Sequence, residues 1–256
     1  MRKFFLLFIP LIFLFCSCNI SSPDSPKPGL AISWDVEGFD ALTHLYSLRD
    51  TIKEWGVPFT LYVRAPGPLT YEYGNMLLEL QQDGHEIGYH TRFHTNAIDY
   101  ILIQKHSFEE YDNFEIKPGI DDFLGHGITI KNFAYPVAHH FAALDDYLSK
   151  YFNSFRDSIE VIDWCFYKFN NNRVVSAYWI DDMDILSNET QLEVIRKGLQ
   201  KAKDRGWVLN LYGHSINIDD KSRSGQASST KIMQIIEYAK ELGLTFYRME
   251  DLFSNK

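Results

Sequence analysis

His85-Glu86-Ile87-Gly88-Tyr89-His90-Thr91-Arg92-Phe93-His94, entered through Asp83-Gly84, is the stretch from which the rest of the chain is read. Its centre is a pair of histidines, His90 and His94, four residues apart. On one helical turn that spacing brings both imidazoles to one face, where they can share a divalent metal ion. The metalloprotease pattern H-E-x-x-H fails here, because the histidine after His85-Glu86 stands one place too late. Two half-buried structural histidines would give the same local pattern. A metal site therefore requires a third ligand from another part of the chain.

Upstream, Leu30-Ala31-Ile32-Ser33-Trp34 is a short apolar run following Pro26-Lys27-Pro28-Gly29, the pattern of a buried strand after a turn. It delivers Asp35-Val36-Glu37-Gly38. Acids at the C-terminal end of a strand lie where α/β folds place their chemistry. Residues two apart on a strand point to the same side, so both carboxylates can face one pocket. One can complete the metal site and the other serve as general base. Spacing leaves open which does which.

With these residues in place, the chain resembles the polysaccharide deacetylases, the NodB-homology or carbohydrate esterase family 4 domain. Ser33-Trp34-Asp35-Val36-Glu37-Gly38 is similar to a variant of the family's first motif, T-F-D-D-G, in which one residue separates the acids. The second motif, H-[ST]-x-x-H, is matched by His90, Thr91 and His94. Phe133 to Ala138 resembles the third, F-R-P-P-Y-G, and Asp181-Asp182-Met183-Asp184 resembles the fourth, D-x-x-D-W, with Ile185 in place of tryptophan. Tyr212-Gly213-His214 resembles the fifth, L-x-H. The motifs run in family order over residues 29 to 253.

The resemblance implies one irregular (β/α) barrel of about seven strands. It also implies metal-dependent hydrolysis of N- or O-linked acetyl groups on an acetylated polysaccharide or oligosaccharide. By the same match Asp35 is the catalytic base, Glu37, His90 and His94 hold one divalent metal, and His214 is the general acid. The metal expected is zinc, with cobalt or nickel as alternatives. The backbone N–H of Val137 would hold the oxyanion, and Asp184, with Asp181 next in line, would orient His214. Two departures stand out. Ala134 occupies the place of an arginine that many members set against the catalytic aspartate, and Val137-Ala138 replaces Tyr-Gly. The missing arginine motivates a competing function, a catalytically degenerate glycan-binding lipoprotein on the same fold. A metal-independent amide hydrolase is a third.

The first residues read as a targeting segment, expected to stand apart from the fold. Arg2-Lys3 precedes the apolar run Phe4 to Phe15, and Phe15-Cys16-Ser17-Cys18 resembles a bacterial lipobox. The expected division is a leader over 1–17, a Ser- and Pro-rich tether over 18–28 and one deacetylase-like domain over 29–256. A lipid on Cys18 would tie the protein to a membrane of the bacterial cell envelope, on its periplasmic side or at the cell surface. Secretion after cleavage at or beyond Ser17 is the alternative. The net charge of −9 becomes −11 once Arg2 and Lys3 leave with the leader. That balance disfavours nucleic acid and suits neutral or cationic sugars. With Cys18 acylated, no intramolecular disulfide is expected of Cys165, and a chain 45% hydrophobic can instead build its own core.

Helical and strand patterns then alternate, as a parallel sheet requires. Helices are expected over 41–55, 74–82, part of 108–124 with a break at Pro118-Gly119, 144–151, 191–203 and 232–242. Strands are expected at 57–63, 86–89, 132–135, within 155–169 and 174–180, at 207–211 and at 244–247. Asn217 to Thr230 reads as a long surface loop. Of His139-His140, at most one could reach the metal, since neighbours in an extended segment face opposite ways. His44, His106 and His126 have no partner pattern. Tyr71, Tyr73, Tyr89 and Tyr135 read as core residues before sugar-stacking ones. Ser215 sits in no nucleophile elbow, which disfavours a serine hydrolase.

Overall fold

Alternate residues of β1 (Gly29–Val36) go to opposite sides, and that division organises the molecule. Leu30, Ile32, Trp34 and Val36 enter the large apolar core beneath the helices, together with Leu42, Ile52, Leu77 and Ile236. Ala31 belongs to a smaller cluster with Tyr62, Ala134, Val175, Val208 and Met249. Ser33 and Asp35 continue that inward-facing row.

The computed structural model describes residues 26–182, 187–219 and 223–253. Six further strands run parallel to β1: β2 (Thr60–Val63), β3 (Glu86–Tyr89), β4 (Asn132–Ala134), β5 (Ser154–Ser158), β6 (Val174–Trp179) and β7 (Val208–Gly213). Each pairs with the next, and β7 also pairs with β1, which closes a seven-stranded barrel. The irregular (β/α)7 barrel expected from sequence is the fold observed. Its irregularities are local. Thr245–Tyr247 pairs in parallel with Gly29–Ala31, while β2 pairs with Ser33–Val36. Phe166–Tyr167 pairs antiparallel with the first residues of β7, before β6 joins at Leu211 and Tyr212.

Three inward layers fill the barrel. Nearest the N-terminal ends of the strands, Thr60, Glu86, Asn132 and Ser154 form a polar layer. Thr60 donates to Glu86 (2.8 Å), Asn132 Nδ2 donates to the same carboxyl, and Ser154 donates to Asn132 (2.6 Å). Burial pushes the Glu86 carboxyl up to about 7. Above it lie Tyr62, Arg156 and Tyr212, with Tyr62 occupying the space that a Cβ on Gly88 would fill. Asp35, His90 and His214 lie at the C-terminal ends.

Some boundaries differ from the sequence expectation. The helix expected over 41–55 is two, Phe39–Ser47 and Arg49–Trp55, because Leu48 leaves helical geometry (φ −96°, ψ 6°). Pro118-Gly119 does not break the helical run: Asp112–Ile116 passes directly into Lys117–Gly125, with Pro118 in the first turn of the latter. The 217–230 stretch is not one loop, since Ile216–Asn217 and Ala227–Ser228 pair in parallel and a helix starts at Ser229. The expected leader and most of the tether lie outside the described residues. No helix among the described residues is long and apolar enough to cross a membrane.

Candidate active site

Glu37, His90 and His94 converge at the C-terminal mouth of the barrel. Glu37 leaves the end of β1 and His90 the end of β3. His94 returns to them through a tight loop, not the helical turn expected from the four-residue spacing. Thr91 and His94 both have positive φ, 63° and 64°, which no α-helix allows, and the Thr91 hydroxyl accepts the His94 N–H at 3.1 Å. Glu37 Oε1 lies 3.3 Å from His90 Nε2 and 3.1 Å from His94 Nε2. Donor atoms around a tetrahedral zinc with bonds of about 2 Å stand about 3.3 Å apart, so this carboxylate and these imidazoles fit one such ion.

The neighbours of His90 and Glu37 favour that use. His90 Nδ1 is 2.9 Å from the Ala134 carbonyl. A carbonyl only accepts, so Nδ1 carries the proton and Nε2 presents its lone pair to the site. The second oxygen of Glu37 accepts from Arg64 at 3.3 Å. Burial alone would raise the Glu37 carboxyl, but beside the protonated forms of the two imidazoles it is held far below the usual carboxylate range.

Asp35, one pleat below Glu37, is 3% exposed. Its Oδ2 lies 3.8 Å from His90 Nε2, and its Oδ1 accepts from Arg156 Nη2. Arg156 is also buried, with its guanidinium between the rings of Tyr62 (5.3 Å) and Tyr212 (4.6 Å). Burial works to raise the Asp35 carboxyl, but Arg156, His90 and His214 together keep it below the usual range and therefore ionised. Arg156 stands in register with Ala134 on the adjacent strand. The motif comparison missed it. Its strand, Ser154–Ser158, is polar apart from Phe155, so no apolar pattern singled the arginine out.

His214 follows β7, the strand paired with β1, and places Nδ1 2.6 Å from Asp181 Oδ2. The other oxygen of Asp181 accepts the His214 backbone N–H at 3.1 Å. A Cβ on Gly213 would approach that oxygen to 2.9 Å, so glycine is what lets the aspartate sit there. Burial opposes charge on His214, but Asp181 and Asp35 raise it above the ordinary histidine range. Asp181 is thus the partner of His214, and Asp184 lies outside the described residues. Neither Asp181 nor Asp182 belongs to a solvated loop, since both are buried and Asp182 is held by buried Lys231 at 2.7 Å.

Val137 and Ala138 have consecutive left-handed backbones, φ 50° and 58°, a costly geometry for a β-branched residue. The Val137 side chain is exposed. The next residues fasten this turn. Asn96 donates to His139 at 2.6 Å, tying the turn to the loop after His94. His140 lies 3.0 Å from Asp145 and 3.2 Å from Asp157, hydrogen bonds that raise it to about 9. Neither histidine belongs to the metal group. His44 and His126 meet backbone carbonyls, and His106 stacks on Tyr100. Tyr89 and Tyr135 are core residues, whereas Tyr71 is exposed and Tyr73 stacks on Phe39. Cys165 is a buried free thiol pushed up to about 12 by its burial.

No family model and no curated protein matches the chain by sequence. Solved structures do. The Xyl-CE4 domain of a multidomain xylanase from the hindgut metagenome of Trinervitermes trinervoides is 16% identical, with 89% of this chain and 90% of that one covered at a TM-score of 0.55. A family 4 carbohydrate esterase from Streptomyces lividans, solved with acetate, is 15% identical over 87% and 93% at 0.56. The chitin deacetylase of the fungal pathogen Colletotrichum lindemuthianum is 11% identical over 91% and 90% at 0.59. The chain has the fold of the family 4 carbohydrate esterases, the polysaccharide deacetylase barrel.

Proposed function

We propose that the protein is a divalent-metal-dependent deacetylase of an acetylated glycan. The convergence of Glu37, His90 and His94 within 4.8 Å of one another, with Asp35 beside them, carries this reading. It is supported by the order of the motifs and by the fold shared with enzymes whose names include chitin deacetylase. Zinc held by those three side chains would acidify a water molecule and polarise the acetyl carbonyl.

Asp35 then takes a proton from the attacking water as its oxygen bonds to the acetyl carbon. Asp35 can do so because Arg156 keeps it ionised and fixes one oxygen, leaving Oδ2 turned toward His90. The backbone N–H of Val137 is assigned to the developing oxyanion. His214, protonated and oriented by Asp181, gives its Nε2 proton to the departing nitrogen or oxygen as the bond to the acetyl carbon breaks. Acetate and a free amine or hydroxyl leave. Base and acid follow register-paired residues at the ends of adjacent strands, Trp34 and Gly213, and general base and general acid each contribute about 10²–10⁴-fold.

A degenerate glycan binder was motivated by Ala134. Arg156 supplies a guanidinium to Asp35 from the neighbouring strand, which weakens that motive. The same proposal includes a lipid on Cys18 and a place in the bacterial cell envelope, supported by the leader and lipobox pattern. The test is acetate release from acetylated xylan, chitin oligomers and peptidoglycan by chelator-treated protein, with and without added zinc. Zinc-restored release from at least one glycan is expected. No release from any, with metal bound, would favour the binder, and release unaffected by chelation would favour a metal-independent hydrolase.

A further inference from the structure

The loop from Thr91 to Thr95 is held from outside itself. Two of its non-glycine residues have left-handed backbones, and its peptide N–H groups turn toward a common centre. At that centre lies the carboxylate of Glu115. Its Oε2 accepts the N–H groups of Arg92 (2.8 Å) and Phe93 (2.7 Å), and its Oε1 accepts that of Thr95 (3.0 Å). Glu115 is 0% exposed. It belongs to Asp112–Ile116, within the helical segment between β3 and β4. Its own carbonyl accepts the hydroxyl of Tyr89, the residue immediately before His90, at 2.6 Å.

These bonds leave His94 little freedom. The residues on either side of it, Phe93 and Thr95, are fastened to the two oxygens of one buried carboxylate, and its own N–H is fastened to Thr91. Charge-assisted bonds to a buried carboxylate are among the strongest available to a loop. We infer that Glu115 is the positioning residue of the metal loop, fixing His94 so that the Glu37–His90–His94 site exists before metal arrives. The helical segment between β3 and β4, which no motif covers, then has a direct part in metal affinity. This rests on the metal-site reading above and adds a residue to it.

The test is a double-mutant cycle on zinc affinity, measured by competition with a chromogenic chelator. The proteins are wild type, Glu115→Gln, His94→Ala and the double variant, each also melted in its metal-free form. Glu115→Gln should weaken zinc binding about ten-fold or more. In the His94→Ala background the same change should alter affinity by no more than about two-fold, because the ligand it positions is already gone. Should Glu115→Gln fail to fold, Glu115→Asp takes its place in the cycle, retaining the charge but falling short of all three N–H groups. Equal zinc affinity in a folded Glu115 variant would overturn the inference. So would the same loss in both backgrounds, which would mark a general packing effect. A wild-type protein that binds no zinc would instead overturn the metal site itself.

Discussion

Arg156 reaches Asp35 from the strand position in register with Ala134. Register partners on neighbouring strands face the same side of the sheet, so a guanidinium rooted at either position can enter the same interior. Arg156→Ala should therefore lower kcat by about 10²-fold through misplacement of the base. It should also cost about 3–5 kcal/mol of stability, since it leaves a buried carboxylate without its partner. Adding Ala134→Arg to that variant should restore part of kcat. Steady-state kinetics and urea unfolding of the two variants check both expectations, and an unchanged kcat in a folded Arg156→Ala would remove Arg156 from the account.

The Asp181–His214 pair makes a prediction about pH. Asp181 raises His214, so the protonated imidazole persists into more alkaline solution than a free histidine would. Asp181→Asn removes that support, and the alkaline limb of the kcat/KM profile should move toward lower pH while maximal activity falls by about 10²-fold. A profile whose alkaline limb stays in place would show that His214 is not the group being titrated.

His140 makes a prediction about stability. Its pKa rises from 6.5 to about 9 in the fold through Asp145 and Asp157. A raised pKa means that the folded state binds the proton more tightly, so the stabilisation is complete below about 6.5 and lost as pH climbs through about 9. The stability gap between wild type and His140→Gln should therefore be larger at pH 6 than at pH 10. Urea midpoints at the two values measure it, and a gap independent of pH would contradict the assignment.

The anchoring proposal concerns only the leader. Full-length protein expressed in a bacterial host should partition into detergent, and Cys18→Ala should not. Release by Cys16→Ala with retention by Cys18→Ala would move the lipid to the other cysteine.

Much of this site was legible before the fold was known, for a physical reason. A metal site needs fixed residue types at strand ends, and those survive as short patterns: Asp35-x-Glu37, His90-Thr91-x-x-His94 and His214 after an apolar strand. Contacts between distant strands leave no such pattern. Arg156 touches Asp35 only because the barrel brings β5 opposite β1, and Asp181 meets His214 where Gly213 makes room for it. The His90–His94 spacing suggested a helical turn, since periodicity cannot register a loop held by a carboxylate elsewhere in the chain. Pro118-Gly119 suggests a helix break, yet the helical run continues through it, with Pro118 in the first turn of Lys117–Gly125. Proline suits both a break and a first turn, and only the extent of the following turn distinguishes them.

The central claim is that Glu37, His90 and His94 hold one metal ion while Asp35 stands beside it as base. Zinc titration of metal-free protein, by calorimetry and elemental analysis, tests that division most directly. Wild type and Asp35→Asn should each take up close to one equivalent, with kcat collapsing in the latter because an amide cannot accept the water's proton. Glu37→Ala, His90→Ala and His94→Ala should each lose tight binding, because two remaining ligands hold zinc poorly. A wild-type protein that cannot be loaded would contradict the site, and loss of zinc in Asp35→Asn with retention in Glu37→Ala would exchange the roles of the two acids.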